Sequence, residues 1–204
     1  MGSKYPIFSF DFTGAKRGVL PASYDYLRLE GRMQYRLNLP PIGYSQLMLE
    51  GGKIFGKVPY LLLKLHEGNG TYFYDRYAFS CMNFYEFSSD AWISFFYEHH
   101  FNGFLLGRVP LLKKLNWREV FVFKGVYGTL SARNDGSLPN TKAVMLFPVG
   151  MSSVEHPYLE TGFGIENIFR LLRVDCIWRL THHRAVPGLS IPTFTVNFSL
   201  NLKF

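Results

Sequence analysis

Phe194-Thr195-Val196-Asn197-Phe198-Ser199-Leu200-Asn201-Leu202-Lys203-Phe204 alternates without a break. Phe194, Val196, Phe198, Leu200, Leu202 and Phe204 share one face, and Thr195, Asn197, Ser199, Asn201 and Lys203 the other. Successive side chains of a strand point to opposite sides, so strict period two means a strand with one apolar and one polar face. Pro192 stands just ahead of it, where a strand tolerates proline.

The same period recurs upstream. Leu27, Leu29, Gly31, Met33, Tyr35, Leu37 and Leu39 alternate with Arg28, Glu30, Arg32, Gln34, Arg36 and Asn38, which form a charged stripe. Leu172, Val174, Cys176, Trp178 and Leu180 oppose Arg173, Asp175 and Arg179. Ile93, Phe95, Tyr97 and Phe101, with His99 among them, oppose a mixed face of Trp92, Ser94, Phe96, Glu98 and His100. Phe8, Phe10 and Phe12 alternate with Ser9, Asp11 and Thr13, and Leu47 and Leu49 with Gln46, Met48 and Glu50. Ala78 to Ser88, Glu119 to Ser131 and Tyr158 to Asn167 read as further strands, blurred by paired aromatics or glycines. The sum is eight or nine strands of about 9–13 residues, against about 9–11 for a tilted strand crossing a bilayer and about 5–6 for the mean strand.

Composition points the same way. The chain has 204 residues, enough for one domain, here read as a single barrel domain over 1–204 with 1–4 as a tag. Charged residues make up 18%, below the roughly 25% of soluble domains. Aromatic content is the unusual feature: 20 Phe, 13 Tyr and 3 Trp, as lipid-facing walls and interfacial girdles require. No run approaches the ~18 apolar residues of a membrane helix, and mean hydropathy near zero is what alternating strands average to. The start, Met1-Gly2-Ser3-Lys4, has no apolar signal region and suggests a tag or a fragment. A net charge of +7 is scattered through the strands without a dense tract, so nucleic acid is not an expected partner.

The connections alternate in length. Pro40-Pro41-Ile42-Gly43, Ser88-Ser89-Asp90 and Phe169-Arg170 read as tight turns, and Arg133 to Pro157 and Thr181 to Pro192 as long loops. Outer-membrane barrels have this asymmetry. Gly56-Lys57-Val58-Pro59-Tyr60-Leu61-Leu62-Leu63-Lys64-Leu65 is echoed by Gly107-Arg108-Val109-Pro110-Leu111-Leu112-Lys113-Lys114-Leu115. Each is either an interfacial segment with snorkelling lysines or an ordinary connection.

Period two fits two arrangements. A soluble barrel or sandwich turns its apolar faces inward, as in a lipocalin-like protein around an apolar ligand. A membrane barrel turns them to lipid and fills its interior with polar side chains. Mixed charge on the polar faces favours the second: Arg28, Arg32, Arg36, Arg173 and Arg179 against Glu30, Glu50, Glu98, Glu160, Glu166 and Asp175. These eleven residues form the expected interior network, with Glu160 and Glu166 pairing Arg173 or Arg179. Phe204 is the expected assembly signal. The fold expected is an all-β, antiparallel up-and-down transmembrane barrel of about eight strands, or the C-terminal half of a barrel of about 16.

The final strand resembles the C-terminal signature of outer-membrane barrels. Gly162-Phe163-Gly164-Ile165-Glu166-Asn167-Ile168-Phe169-Arg170-Leu171-Leu172-Arg173-Val174-Asp175 resembles the penultimate hairpin of the surface-antigen superfamily, barrels that assemble or secrete outer-membrane proteins. Glu98-His99-His100-Phe101-Asn102-Gly103-Phe104, Pro110 to Leu115 and Trp117-Arg118-Glu119-Val120 are similar to the C-terminal barrel of a Bacteroidota family. In that family a carboxypeptidase-regulatory-like domain precedes a barrel of unknown function. The resemblance implies a longer natural protein in the bacterial outer membrane. Its partners would be the bilayer, the outer-membrane assembly machinery, and another barrel chain or an N-terminal portion. Its role would be anchoring, transport or assembly. The Arg-Gly-Phe or Arg-Gly-Tyr loop motif of the superfamily is missing; Asp75-Arg76-Tyr77 comes nearest and lacks the glycine, so a translocase mechanism does not carry over.

Enzymatic and cofactor chemistry finds little footing. His99-His100 and His182-His183 are adjacent pairs whose members point to opposite faces of a regular strand, so neither chelates as a unit. No nucleophile-elbow motif appears. Gly51, Gly52, Gly162 and Gly164 lie in strands, as bends or close-packing points. Cys81 and Cys176 form no metal motif and leave a disulfide open. The expectation is a non-enzyme without cofactor or metal.

Overall fold

The computed structural model describes residues 5–18, 23–137, 143–184 and 190–200. In chain order the strands are β1 (Ile7–Ala15), β2 (Tyr26–Asn38), β3 (Tyr44–Gly56), β4 (Lys64–Leu65), β5 (Phe87–Ser89), β6 (Ala91–His100), β7 (Arg118–Thr129), β8 (Ser152–Ser153), β9 (Tyr158–Ile168), β10 (Leu172–Arg179) and β11 (Phe194–Leu200). One helical turn, α1 (Pro110–Lys113), lies between β6 and β7. The fold is all-β. Eight strands form one sheet in the order β1-β2-β3-β6-β7-β9-β10-β11, each antiparallel to its neighbours. This is an up-and-down meander. Among the described residues no pairing joins β1 to β11. The short strands β4, β5 and β8 make a second sheet of three.

The turns follow from local chemistry. Between β2 and β3 the chain reverses over Pro40–Gly43, held by Leu39 N–H on Gly43 O and Ile42 N–H on Leu39 O, both 2.8 Å. A Cβ on Gly43 would fall 1.8 Å from the carbonyl oxygen of His100, so only glycine fits. Between β9 and β10, Asn167, Phe169 and Arg170 adopt left-handed backbone with φ of 68°, 49° and 66°. Arg170 N–H closes that turn on Asn167 O at 3.2 Å.

The two faces of the large sheet differ as the alternation predicts. Phe8, Phe10 and Phe12 of β1, Leu27 and Leu37 of β2, Ile93 of β6, Phe163 of β9, Trp178 of β10, and Phe198 and Leu200 of β11 are exposed. The opposite face buries Glu50, Glu98, Lys124, Glu160, Arg173, Asp175 and Arg179. What covers it is residues 57–90, the connection from β3 to β6. This segment contributes Val58, Leu63, Phe79, Met82 and Phe87 to apolar clusters with Ile54, Trp92, Phe96, Val126 and Tyr158 of the sheet.

Two sequence expectations need correction here. Ala78 to Ser88 is not a strand; only Phe87–Ser89 is extended, within β5. Residues 78–82 are all buried, because the segment lies inside the curl of the sheet and has no solvent face. The N–H groups of Ser80 and Cys81 bond the Glu160 carboxylate and not a neighbouring strand. Ser88-Ser89-Asp90 is not a tight turn: Ser88 and Ser89 belong to β5, and Asp90 bonds Thr129 O and Ile54 N–H. Gly51 and Gly52 do lie in a strand, since β3 runs on past Glu50 to Gly56. A Cβ at Gly52 would strike the Trp92 ring at 2.6 Å, so this glycine makes room for an inward tryptophan. The chain after Leu200, with the expected assembly signal at Phe204, lies outside the described residues.

Candidate functional site

The charged residues of the sheet's inner face meet in clusters, and residues 57–90 bind to most of them. On β2 and β3, Arg28 pairs with Glu30 at 2.6 Å and Arg32 with Glu50 at 2.7 Å. Lys64 reaches the other oxygen of Glu50, also at 2.6 Å. Arg36 stands apart: it stacks on the Tyr44 ring 4.0 Å away and forms no ion pair among the described residues.

The centre is Glu98 on β6. Its carboxylate meets Arg76 at 2.6 Å, Arg173 at 3.1 Å and His100 at 3.5 Å, and accepts the Tyr74 hydroxyl. Arg173 also grips Asp175 at 2.8 Å. Next along the face, Lys124 on β7 donates to Asp75 O and Ala78 O at 2.7 and 2.6 Å. Arg179 on β10 pairs with Glu86 at 2.6 Å and donates to Cys81 O and His182 O.

The expected partners of Glu160 and Glu166 need revision. Glu160 accepts Ser80 N–H at 2.8 Å, Cys81 N–H at 2.7 Å and the Tyr158 hydroxyl at 2.6 Å. Glu166 meets His100 at 3.2 Å. The acceptors of Arg173 and Arg179 are Glu98, Asp175 and Glu86 instead. A buried carboxylate without donors is costly, so each is satisfied by whichever donor the folded loop brings nearest.

The inner network therefore extends past the residues that alternation picks out. Lys64, Tyr74, Arg76 and Glu86 lie on the connecting segment, where no period marks them. Lys124 was legible: it is a lone charge among Val120, Val122 and Val126 on the inner face of β7. Lys64 does not snorkel to water; it is 5% exposed against Glu50. The two echo segments thus part company: the first buries Val58, Pro59, Leu63 and Lys64, whereas 107–115 buries none of its residues and lies at the opposite end of the sheet.

Burial shifts the groups on this segment. Burial and the nearby Lys64 ammonium push His66 down to about 3, so it is neutral and hydrogen-bonded to Ser89 at 2.9 Å. Burial and Glu160 push the Cys81 thiol up to about 12, which leaves it inert as a nucleophile. Both cysteines are free.

Among the described residues no group of three His, Cys, Asp or Glu is placed to hold a metal. His99 and His100 diverge to opposite faces: His99 bonds Ser45 Oγ and Ile42 O, and His100 stacks on Tyr44 and meets Glu166. His182 bonds His156 O. The strand glycines serve packing. A Cβ at Gly164 would lie 2.2 Å from the Asp175 carboxylate. The site as a whole is a set of mutually satisfied charges that clamps one long connection to the inner face.

Residues 1–132 match the model of a family of unknown function, the DUF5686 C-terminal domain. No curated protein matches the chain.

Proposed function

We propose that this chain, which belongs to the DUF5686 C-terminal-domain family, is an integral β-barrel protein of the bacterial outer membrane with a non-enzymatic role. One observation carries the reading: the polarity of the sheet is inverted. Its inner face buries charged residues, while the outer face offers Phe8, Phe10, Phe12, Leu27, Ile93, Phe163, Trp178 and Leu200 with no element over them. A soluble protein would bury that surface; lipid solvates it. Strand length agrees. At about 3.3 Å per residue and a tilt near 45°, 13 residues such as those of β2 and β3 cover roughly 30 Å, the hydrocarbon thickness.

A lipocalin-like ligand binder fits less well, because its apolar face would have to line the cavity. Of anchoring, transport and assembly, anchoring fits best, since residues 57–90 occupy the inner face with buried ion pairs. The bilayer and the outer-membrane assembly machinery are the partners this role requires.

The sheet edges favour one way of completing the barrel. Ile7–Gly14 of β1 are exposed on both faces. On the β11 edge the connecting segment bonds one residue, Phe198: Tyr74 N–H donates to Phe198 O at 2.8 Å and Phe198 N–H to Tyr72 O at 2.7 Å. Lipid tolerates no open edge. Further strands, from another chain or an N-terminal portion, would close a larger barrel of about 16.

Trp178 faces outward and Trp92 inward. In vesicles carrying brominated acyl chains, a variant retaining only Trp178 is expected to be quenched, and one retaining only Trp92 to stay bright. Equal quenching, or a chain that stays monomeric without detergent, would refute the membrane reading.

A further inference from the structure

We infer that the rim where the β6–β7 connection meets the β9–β10 turn binds the phosphate headgroup of an anionic phospholipid. The inference rests on the membrane reading above. The β6–β7 connection and the β9–β10 turn are neighbours because β7 pairs with β9, with Arg118 opposite Glu166. Between them lies a cleft of about 530 Å³ lined by Lys113, Asn116, Trp117, Arg118, Asn167 and Arg170, and no carboxylate lines it. The wall is built: Asn167 Nδ2 donates to Asn116 O at 2.8 Å, and both residues hold left-handed backbone.

Four cations collect here without an anionic partner. Arg108, Lys113, Lys114 and Arg170 form no ion pair among the described residues, whereas Arg28, Arg32, Arg173 and Arg179 of the inner face are each paired with a carboxylate. Exposed apolar side chains stand beside them: Leu111 at 83% and Phe169 at 88%. Cations beside protruding apolar groups match a headgroup layer, where phosphate and acyl chain adjoin.

Depth agrees. The outward pair Phe121 and Phe163, with ring centroids 5.2 Å apart, lies three residues from Arg118 along β7. That is about 10 Å at strand rise, enough to carry the cleft from the apolar wall into the headgroup region. At the opposite end the echo segment tucks Val58, Leu63 and Lys64 inside and leaves Leu61 exposed.

The test is native mass spectrometry of the detergent-extracted chain after reconstitution with phosphatidylglycerol and phosphatidylcholine. Wild type is expected to retain phosphatidylglycerol preferentially. Lys113→Glu with Arg170→Glu should lower that retention about 25-fold or more, since each basic residue contributes roughly fivefold near an anionic surface. Lys16→Glu with Lys57→Glu makes the same charge change at the opposite end and should leave retention unchanged. Unaltered far-UV circular dichroism checks that each variant folds. Equal retention by wild type and the rim variant overturns the inference, as does release of lipid by millimolar inorganic phosphate, which would make it a free-phosphate site. If Trp178 is quenched by brominated lipid while rim substitutions change nothing, only the headgroup site fails. A chain soluble without detergent sinks both.

Discussion

Arg173 on β10 meets Glu98 on β6 at 3.1 Å, although β7 and β9 stand between their strands. On a flat sheet three strand spacings come to about 14 Å. The contact is therefore a chord across a strongly curled sheet, and both side chains are nearly inaccessible to water. Removing one member of a buried pair strands the other. Glu98→Leu leaves Arg173 and Arg76 short of an acceptor and should destabilise the fold by about 3–5 kcal/mol. Urea unfolding in detergent measures this; a loss under 1 kcal/mol would mean that the pair is solvated.

The glycines of β9 separate packing from conformation. Gly164→Ala drives a Cβ to 2.2 Å from the Asp175 carboxylate and 3.1 Å from Val174 O. The Arg173–Asp175 pair must then shift, at a cost of about 1–3 kcal/mol. Gly31→Ala, on the outer face of β2, meets only the Phe10 ring at 3.5 Å and should be near neutral. Equal effects in the same unfolding assay would contradict the close packing of the inner face.

His66 gives the connecting segment an acid limit. Its folded value of about 3 lies below the ordinary 6.5, held there by burial and Lys64, with Glu50 opposing. Between those values the unfolded chain takes the proton first. The stabilisation is complete above about pH 6.5 and declines as pH falls toward 3, by at most about 1.4 kcal/mol per pH unit. Protease cleavage within residues 57–90 should rise between pH 6.5 and 5, above the range where most carboxylates titrate. His66→Gln should flatten that rise, and an unchanged profile would reject the role of His66.

The inner face is too well filled to conduct. Arg76 on Glu98, Ser80 and Cys81 on Glu160, Glu86 on Arg179, and Lys124 on the carbonyls of Asp75 and Ala78 close the face through contacts of 2.6–2.8 Å. In planar bilayers the protein should therefore show no large, stable conductance steps. Such steps from the intact chain would show that residues 57–90 leave the inner face.

Much of this was legible in the sequence, because alternation at period two is a local property. It assigns a face to every residue of a strand before any partner is known. Leu27 to Asn38, Leu172 to Arg179 and Phe194 to Leu200 lie in β2, β10 and β11 with the expected residues on each face. Pro40–Gly43 and Phe169-Arg170 were readable as turns for the same local reason.

Three things were decided only by the tertiary structure. Ala78 to Ser88 alternates weakly and reads as strand, yet its first part, residues 78–82, is buried against the inner face and donates hydrogen bonds to a side chain, Glu160. The choice of partner within the charged face was also hidden: Arg173 finds Glu98 at a separation of 75 residues, a distance set by curvature and not by spacing in the chain. Finally, the connecting segment reaches the β11 edge at Phe198, through Tyr72 and Tyr74, whereas β1 is exposed along Ile7–Gly14. The alternation of β1 and β11 fixes which way their side chains point, but backbone N–H and C=O groups look alike in every residue. Which edge is taken, and by what, follows only from how the chain is arranged in space.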